Sequence, residues 1–263
     1  MTAMWFEDIL IPDGNDYLDG WADDLLKNPT AAFDNTGGGY ELALFGHYLS
    51  SFIELNGVED EKNSTIMREI WERYGSTNSN AIHSVEYVLE NSYSTSFIEV
   101  WVDFISRNLY NGIDESFYYY SDQALIDPIT TDPQGLSLAS TETFTLQLYD
   151  ESVAIQSYEL ADIATVFITH SDSDYVGRVA SSSSGSIENS LLWGTNSTSF
   201  IANDEIHFIY GSENMDSVII NLFTYSYNYS LLDINLNSET YGEILSPGYF
   251  AGQVSLHYFG HQN

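Results

Sequence analysis

Six histidines, 39 carboxylates and no cysteine bound the chemistry open to this chain. The histidines are His47, His83, His170, His207, His257 and His261. Hydrolysis by a metal-bound water calls for two histidines at i and i+4 on one helix face, with a glutamate between them as base. No such pair occurs. His257 and His261 stand four apart but enclose Tyr258-Phe259-Gly260, so no base lies between them. The absence of cysteine removes thiol nucleophiles, disulfides and thiolate metal sites, and no Gly-x-Ser-x-Gly elbow presents a serine. Asp172-x-Asp174 and Asp13-Gly14-Asn15-Asp16 are acidic turns that stop short of the full set of oxygen ligands calcium requires. Asn63-Ser64-Thr65, Asn196-Ser197-Thr198 and Asn228-Tyr229-Ser230 match the glycosylation sequon, and Asn63 and Ser64 serve equally well as a helix cap. Tyr118-Tyr119-Tyr120 and the alternating Tyr225, Tyr227 and Tyr229 offer aromatic faces of the kind that stack on sugars, although such stripes also fill sandwich cores.

Charge narrows the partners. The chain carries a formal −33, with 22 acidic and 5 basic residues up to residue 125 and 17 and 1 thereafter. Acidity is spread along the whole length rather than gathered in a tail. Repulsion from phosphates excludes nucleic acid as a partner and disfavours an anionic membrane surface. No apolar run of about 18 residues is present, so no membrane-spanning segment is expected. Aromatics at 15% and hydrophobics at 43% are ample for packed cores.

The elements that would position any site fall into two parts. Apolar residues recur at helical spacing in the first half: Tyr40, Leu44, Phe45, Tyr48, Leu49, Phe52 and Ile53, then Ile66, Met67, Ile70, Trp71 and Tyr74, with Gly75 as a stop. A third helix starts near Ser79. Ser96-Phe97-Ile98-Glu99 has the capping-box pattern for a fourth, which Asn111-Gly112 ends. A shorter helix is expected over Asp16–Lys27, stopped by Asn28-Pro29. Near Asp127-Pro128 the pattern turns to short β-rich runs: Phe144–Tyr149, Ile163–Thr169, Ile206–Tyr210, Val218–Tyr225 and Tyr249–Tyr258. Turns separate them, among them Ser181-Ser182-Ser183-Ser184-Gly185. The expectation is α+β in two domains, an all-α part over 1–126 followed by an all-β sandwich over 127–263.

Met1-Thr2-Ala3-Met4-Trp5-Phe6-Glu7-Asp8 resembles the segment after the third zinc ligand of gluzincin metallopeptidases, a Glu, with Ala3, Trp5 and Glu7 at the matching offsets. That ligand would lie immediately before Met1. Gly39-Tyr40-Glu41-Leu42-Ala43-Leu44-Phe45 is similar to their Tyr-x-x-Ala/Gly-x-x-Phe/Leu pattern. Ile66–Glu72 and Phe97–Leu109 resemble the helical C-terminal subdomain of secreted members, which often append β-sandwiches. The resemblance covers about residues 1–112, and its main departure is the missing His-Glu-x-x-His. It implies a secreted parent that cleaves peptide or protein substrates with a zinc-activated water. Tyr40 would stabilise the oxyanion there and Glu7 would orient a ligand, while the zinc ligands themselves lie outside this chain. The chain alone is then expected to bind no zinc and to be inactive. The competing expectation is a non-catalytic extracellular module whose sandwich binds glycan or protein.

Overall fold

The computed structural model describes residues 2–11, 14, 18, 20–33, 39–40, 42–54, 61–77, 80–137, 141–162, 164–170, 175–183, 186–191, 197–214, 216–226, 231–234, 236–238 and 240–245. Helices precede strands, an α+β fold in two parts. The helices are α1 (Thr2–Leu10), α2 (Trp21–Lys27), α3 (Ala43–His47), α4 (Ile66–Thr77), α5 (Ala81–Val88) and α6 (Phe97–Asn108). Two of them widen into π-helical turns, α3 over Tyr48–Ile53 and α5 over Leu89–Tyr93.

Capping explains where the best-defined helices begin. Ser96 Oγ accepts from the Glu99 N–H, and the Glu99 carboxylate accepts from the Ser96 N–H at 2.9 Å, the full capping box expected from the sequence. At α4 the cap comes from a distance. The Glu54 carboxylate accepts from the backbone N–H groups of Thr65 and Ile66 and from the Ser64 hydroxyl. Burial alone would raise the Glu54 carboxyl, but these hydrogen bonds outweigh it and hold it below its ordinary value. Ser64 is therefore a donor to Glu54, not the cap itself.

Three helix boundaries differ from expectation. The helix expected to open at Tyr40 begins at Ala43, with Tyr40 in the preceding turn, where its carbonyl accepts from the Ala43 N–H. Gly75 lies inside α4, which runs on to Thr77, where the Ser76 and Thr77 hydroxyls bond back to the Arg73 carbonyl. The helix expected from Asp16 is described from Trp21.

The strands are β1 (Gln134–Leu136), β2 (Thr141–Leu148), β3 (Val153–Leu160), β4 (Ala164–His170), β5 (Val176–Ser183), β6 (Ser186–Leu191), β7 (Ser197–Gly211) and β8 (Asp216–Ser226), with a small pair β9 (Leu231–Leu232) and β10 (Ile244–Leu245). Strand β7 joins two layers. Its first half pairs with β4, and its second half pairs with β3 on one side and β5 on the other. One layer is thus β1-β3-β7-β5-β6 and the other β2-β8-β4-β7. Asp204, at φ 63°, sits where β7 changes partners, a left-handed conformation that Asp tolerates better than most residues.

Alternation fills the space between the layers. Leu146 and Leu148 of β2, Val166 and Ile168 of β4, and Val218, Ile220 and Leu222 of β8 meet Ile206, Phe208 and Tyr210 of β7 in one buried cluster. The serine run expected as a loop contributes Ser181–Ser183 to the end of β5, paired with β6. The runs at 153–160 and 176–183 were not expected as strands. The expected strand Tyr249–Tyr258 lies outside the described residues.

The other face of the first layer carries the helices. Ile209 of β7, Val153 of β3, and Val176 and Ala180 of β5 belong to the same buried cluster as Trp101, Phe45 and Leu44. Helix α6 crosses this face so closely that a Cβ on Gly211 would stand 2.6 Å from Ile98 Cδ1. Glycine is the residue that permits that approach. The helical part and the sheet therefore share one core.

Candidate functional site

Helix α1 is seated by one tryptophan. Trp5 lies against Gly46 of α3, where an added Cβ would come within 2.9 Å of its ring, and its indole N–H donates to Ser50 Oγ at 3.2 Å. This docking turns Asp8 inward and leaves Phe6, Glu7, Leu10 and Ile11 exposed. Asp8 reaches His47, the last residue of α3, which is only 1% exposed. The ring has an acid on each edge: Nδ1 is 2.7 Å from Glu61 Oε2 and Nε2 is 3.4 Å from Asp8 Oδ2. Tyr120 stacks on the imidazole at 4.6 Å between centroids. Burial lifts the Asp8 carboxyl to about 6; His47 pulls it down, and Asp122 and Glu61 push it up. The remaining oxygens, Asp8 Oδ1 and Glu61 Oε1, are buried without a hydrogen-bond partner.

This cluster does not fit zinc. The two acids stand on opposite edges of one ring, so they share no position with a common nitrogen, and among the described residues no three His, Asp or Glu side chains converge as metal ligands.

A second buried cluster fixes α6 to the sheet. Asp103 Oδ2 accepts from the Tyr48 hydroxyl at 2.5 Å and from Arg107 Nε at 2.7 Å. Its other oxygen accepts from Arg178 Nη1, reaching across from β5. The Arg107 guanidinium also lies 3.8 Å over the Phe52 ring. Burial lowers both arginines from their ordinary value, and desolvation pushes the Tyr48 phenol up. Two of the six basic residues are thus held inside the fold by one buried acid.

The sheet contributes a third group. Ser157 Oγ is 2.8 Å from His207 Nδ1, and Glu205 Oε2 is 3.5 Å from His207 Nε2. Nucleophile, imidazole and carboxylate stand in a row, but burial holds His207 down at about 4. Such an imidazole is too weak a base to activate a serine at neutral pH. Ser157 and His207 form a directly opposed cross-strand pair in the register of β3 and β7, and their role is to satisfy each other beneath the helices.

The residues singled out from the sequence fall in different places. Tyr40 is 44% exposed and sits in the turn before α3. Its neighbours Gly39 and Leu42 line an apolar cavity of about 320 Å³ together with Phe33, Ile70, Trp71 and Val85. Glu7 is on the exposed side of α1, and its neighbour Asp8 takes the buried acid position. Tyr119 and Tyr120, considered as a sugar platform, are buried in the helical core, where the Tyr119 hydroxyl donates to Asn108 Oδ1. Asp13, Asp16, Asp172, Asp174, Asn196, Asn228, Tyr227, Tyr229, His257 and His261 lie outside the described residues. Sequence reasoning missed the pairing of His47 with Asp8 and Glu61. The available signal was the place of His47 within an apolar helical stripe, where a polar ring must find partners.

No helix among the described residues is long and apolar enough to cross a membrane. Comparison with protein-family models gives no match, and no curated protein matches by sequence. Several solved structures show partial likeness, and two of them illustrate it. A periplasmic inhibitor of g-type lysozyme from Salmonella Typhimurium is 8% identical, with 35% of this chain and 99% of that one covered at a TM-score of 0.24. The pre-peptidase C-terminal domain of a collagenase from Bacillus anthracis is 10% identical, with 36% and 96% covered at 0.26. Each likeness is confined to about a third of this chain, and at these TM-scores neither assigns a family or an activity.

Proposed function

We propose that this chain is the helical C-terminal portion of a secreted zinc metallopeptidase of the gluzincin class, joined to a β-sandwich that serves as its binding arm for protein or glycan. The observation that supports this most is the state of the motif segment. Residues 2–10 form a helix, and Trp5, at one of the motif offsets, is the residue that locks it onto α3. In this reading the zinc histidines, the ligand Glu and the general base lie outside this chain, as the motif offsets of Ala3, Trp5 and Glu7 imply.

Within that parent this chain supplies position and electrostatics. Exposed Tyr40, next in sequence to the cavity-lining Gly39, would donate its hydroxyl to the oxyanion of a peptide substrate, and the cavity lined by Gly39 and Leu42 suits an apolar substrate side chain. Glu7, exposed on α1, would hold a zinc ligand by a hydrogen bond. The acidic surface suits a secreted protein and favours basic substrates over acidic ones.

Kinetics of the protein extended by the coding sequence before Met1 tests these roles. Tyr40→Phe is expected to lower kcat by roughly 10²–10³ with KM little changed, and Glu7→Gln to weaken zinc binding roughly 10–100-fold. The chain alone is expected to leave casein uncut with or without added zinc. Hydrolysis by the chain alone, or an unchanged kcat in Tyr40→Phe, would overturn the assignment.

A further inference from the structure

The His47 cluster is not needed for the peptidase reading, and its geometry carries an inference independent of it. Four separate segments meet at one imidazole: Asp8 from α1, His47 from α3, Glu61 from the 3₁₀ turn Glu61–Asn63, and Tyr120, which stacks on the ring just before the turn Ser121–Leu125. Ionised carboxylates only accept hydrogen bonds. The Nδ1–Glu61 contact is a hydrogen bond and takes one proton, whereas the 3.4 Å approach of Asp8 to Nε2 is electrostatic and is favourable only with a second proton shared between the ring and Asp8. With only one, an acid is left facing a nitrogen lone pair in a buried site. The charged and titratable groups facing Asp8 are His47, Glu61 and Asp122, so losing the proton sets a third carboxylate against Glu61 and Asp122 with one imidazole to offset it.

We propose that Asp8, His47 and Glu61 form a proton-operated latch that holds α1 against α3 at acidic pH and loosens it as the pH rises. The direction agrees with the Asp8 environment. Its carboxyl, raised to about 6 from 3.8, stays protonated in the docked state where a solvated carboxyl has ionised. For a raised carboxyl this contribution favours docking below about 4, declines as pH climbs between the two values, and is absent above about 6. The latch acts on the one helix whose outer side exposes Phe6, Leu10 and Ile11 next to its buried Trp5. Loosening α1 would add the Trp5 socket over Gly46 to that apolar surface.

Amide hydrogen exchange of the whole chain between pH 5 and pH 8, corrected for intrinsic rates, tests the latch. Protection of Thr2–Leu10 relative to Phe97–Asn108 is expected to fall about tenfold over that range, the effect of losing one buried charge-assisted contact. Referring α1 to α6 removes any general loosening from the growing negative charge. Asp8→Asn, uncharged at every pH, is expected to flatten the relative profile. A pH-independent ratio in the unaltered chain overturns the latch, as does an unchanged slope in Asp8→Asn.

Discussion

Replacing Asp103 with alanine is expected to cost about 3–5 kcal/mol of folding stability, the range for breaking a buried ion pair from one side. The carboxylate is the shared acceptor for Arg107, Arg178 and Tyr48. Its removal leaves two guanidiniums close together in a part of the fold where burial already disfavours their charge. It also takes the acceptor from the Tyr48 hydroxyl, on a residue that is only 1% exposed. Because Arg178 comes from β5 and Asp103 from α6, the damage falls on the seam between helices and sheet. Asp103→Asn keeps the shape and one carbonyl acceptor, so its loss should be smaller. Urea unfolding followed by circular dichroism measures both. A loss below about 1 kcal/mol in Asp103→Ala would mean that the cluster behaves like a solvated surface pair.

Trp101→Ala is the second large effect. Trp101 is fully buried, stacks on Phe97 and Phe104, and meets the edges of Phe33 and Phe45 at 5.2 Å. Truncation leaves a cavity that these rings cannot all collapse into, a cost of about 3–5 kcal/mol. The location matters as much as the magnitude. The cluster around Trp101 continues through Ile209, Val153, Val176 and Ala180 of the sheet, and the Phe33 N–H donates to the carbonyl of Glu151 at the entry to β3. Helix and strand signals should therefore unfold together, and Trp101→Ala should lower both midpoints equally. A strand transition that stays in place while the helical one moves would show that the parts before and after residue 127 are energetically separate.

Much of this architecture was legible because local chemistry and tertiary burial agree. The apolar stripes that mark α5 and α6 end up in the core, as do Ile66, Met67 and Ile70 of α4 while Trp71 and Tyr74 of the same stripe stay exposed, and Ser96 and Glu99 announce a box whose hydrogen bonds all form. Strands β4 and β8 were visible for the same reason, since their alternating apolar residues face one core. Strands β3 and β5 were not. They lie in the layer covered on both faces, where Ser157 and Arg178 interrupt the row of Val153, Ile155, Val176 and Ala180 that meets the helices, so neither alternation nor an unbroken apolar run marks them. The serines of β5 read as a turn because their intrinsic preference is for turns, yet pairing with β6 and β7 supplies their backbone partners.

The candidate sites were legible only in part. Met1–Asp8 drew attention to Glu7, whereas the docking of Trp5 selects Asp8 as the buried acid. Which of two adjacent acids points inward depends on helix rotation against α3, and Gly46 sets that rotation from 38 positions beyond Asp8. The Asp103 cluster was hidden in a similar way, because Tyr48 lies 55 and Arg178 75 residues away on other elements. One sequence clue did exist. In a chain with only six basic residues, an arginine within a run of small and apolar residues, as at Arg178, has a specific acid to meet.

The most direct test of the peptidase assignment is the nucleotide sequence immediately upstream of the Met1 codon. An open frame that places a Glu just before Met1 and a His-Glu-x-x-His further upstream is the result expected. An in-frame stop codon followed by a ribosome-binding site directly before Met1 would contradict it, and the β-sandwich would then stand as the working part of a binding protein.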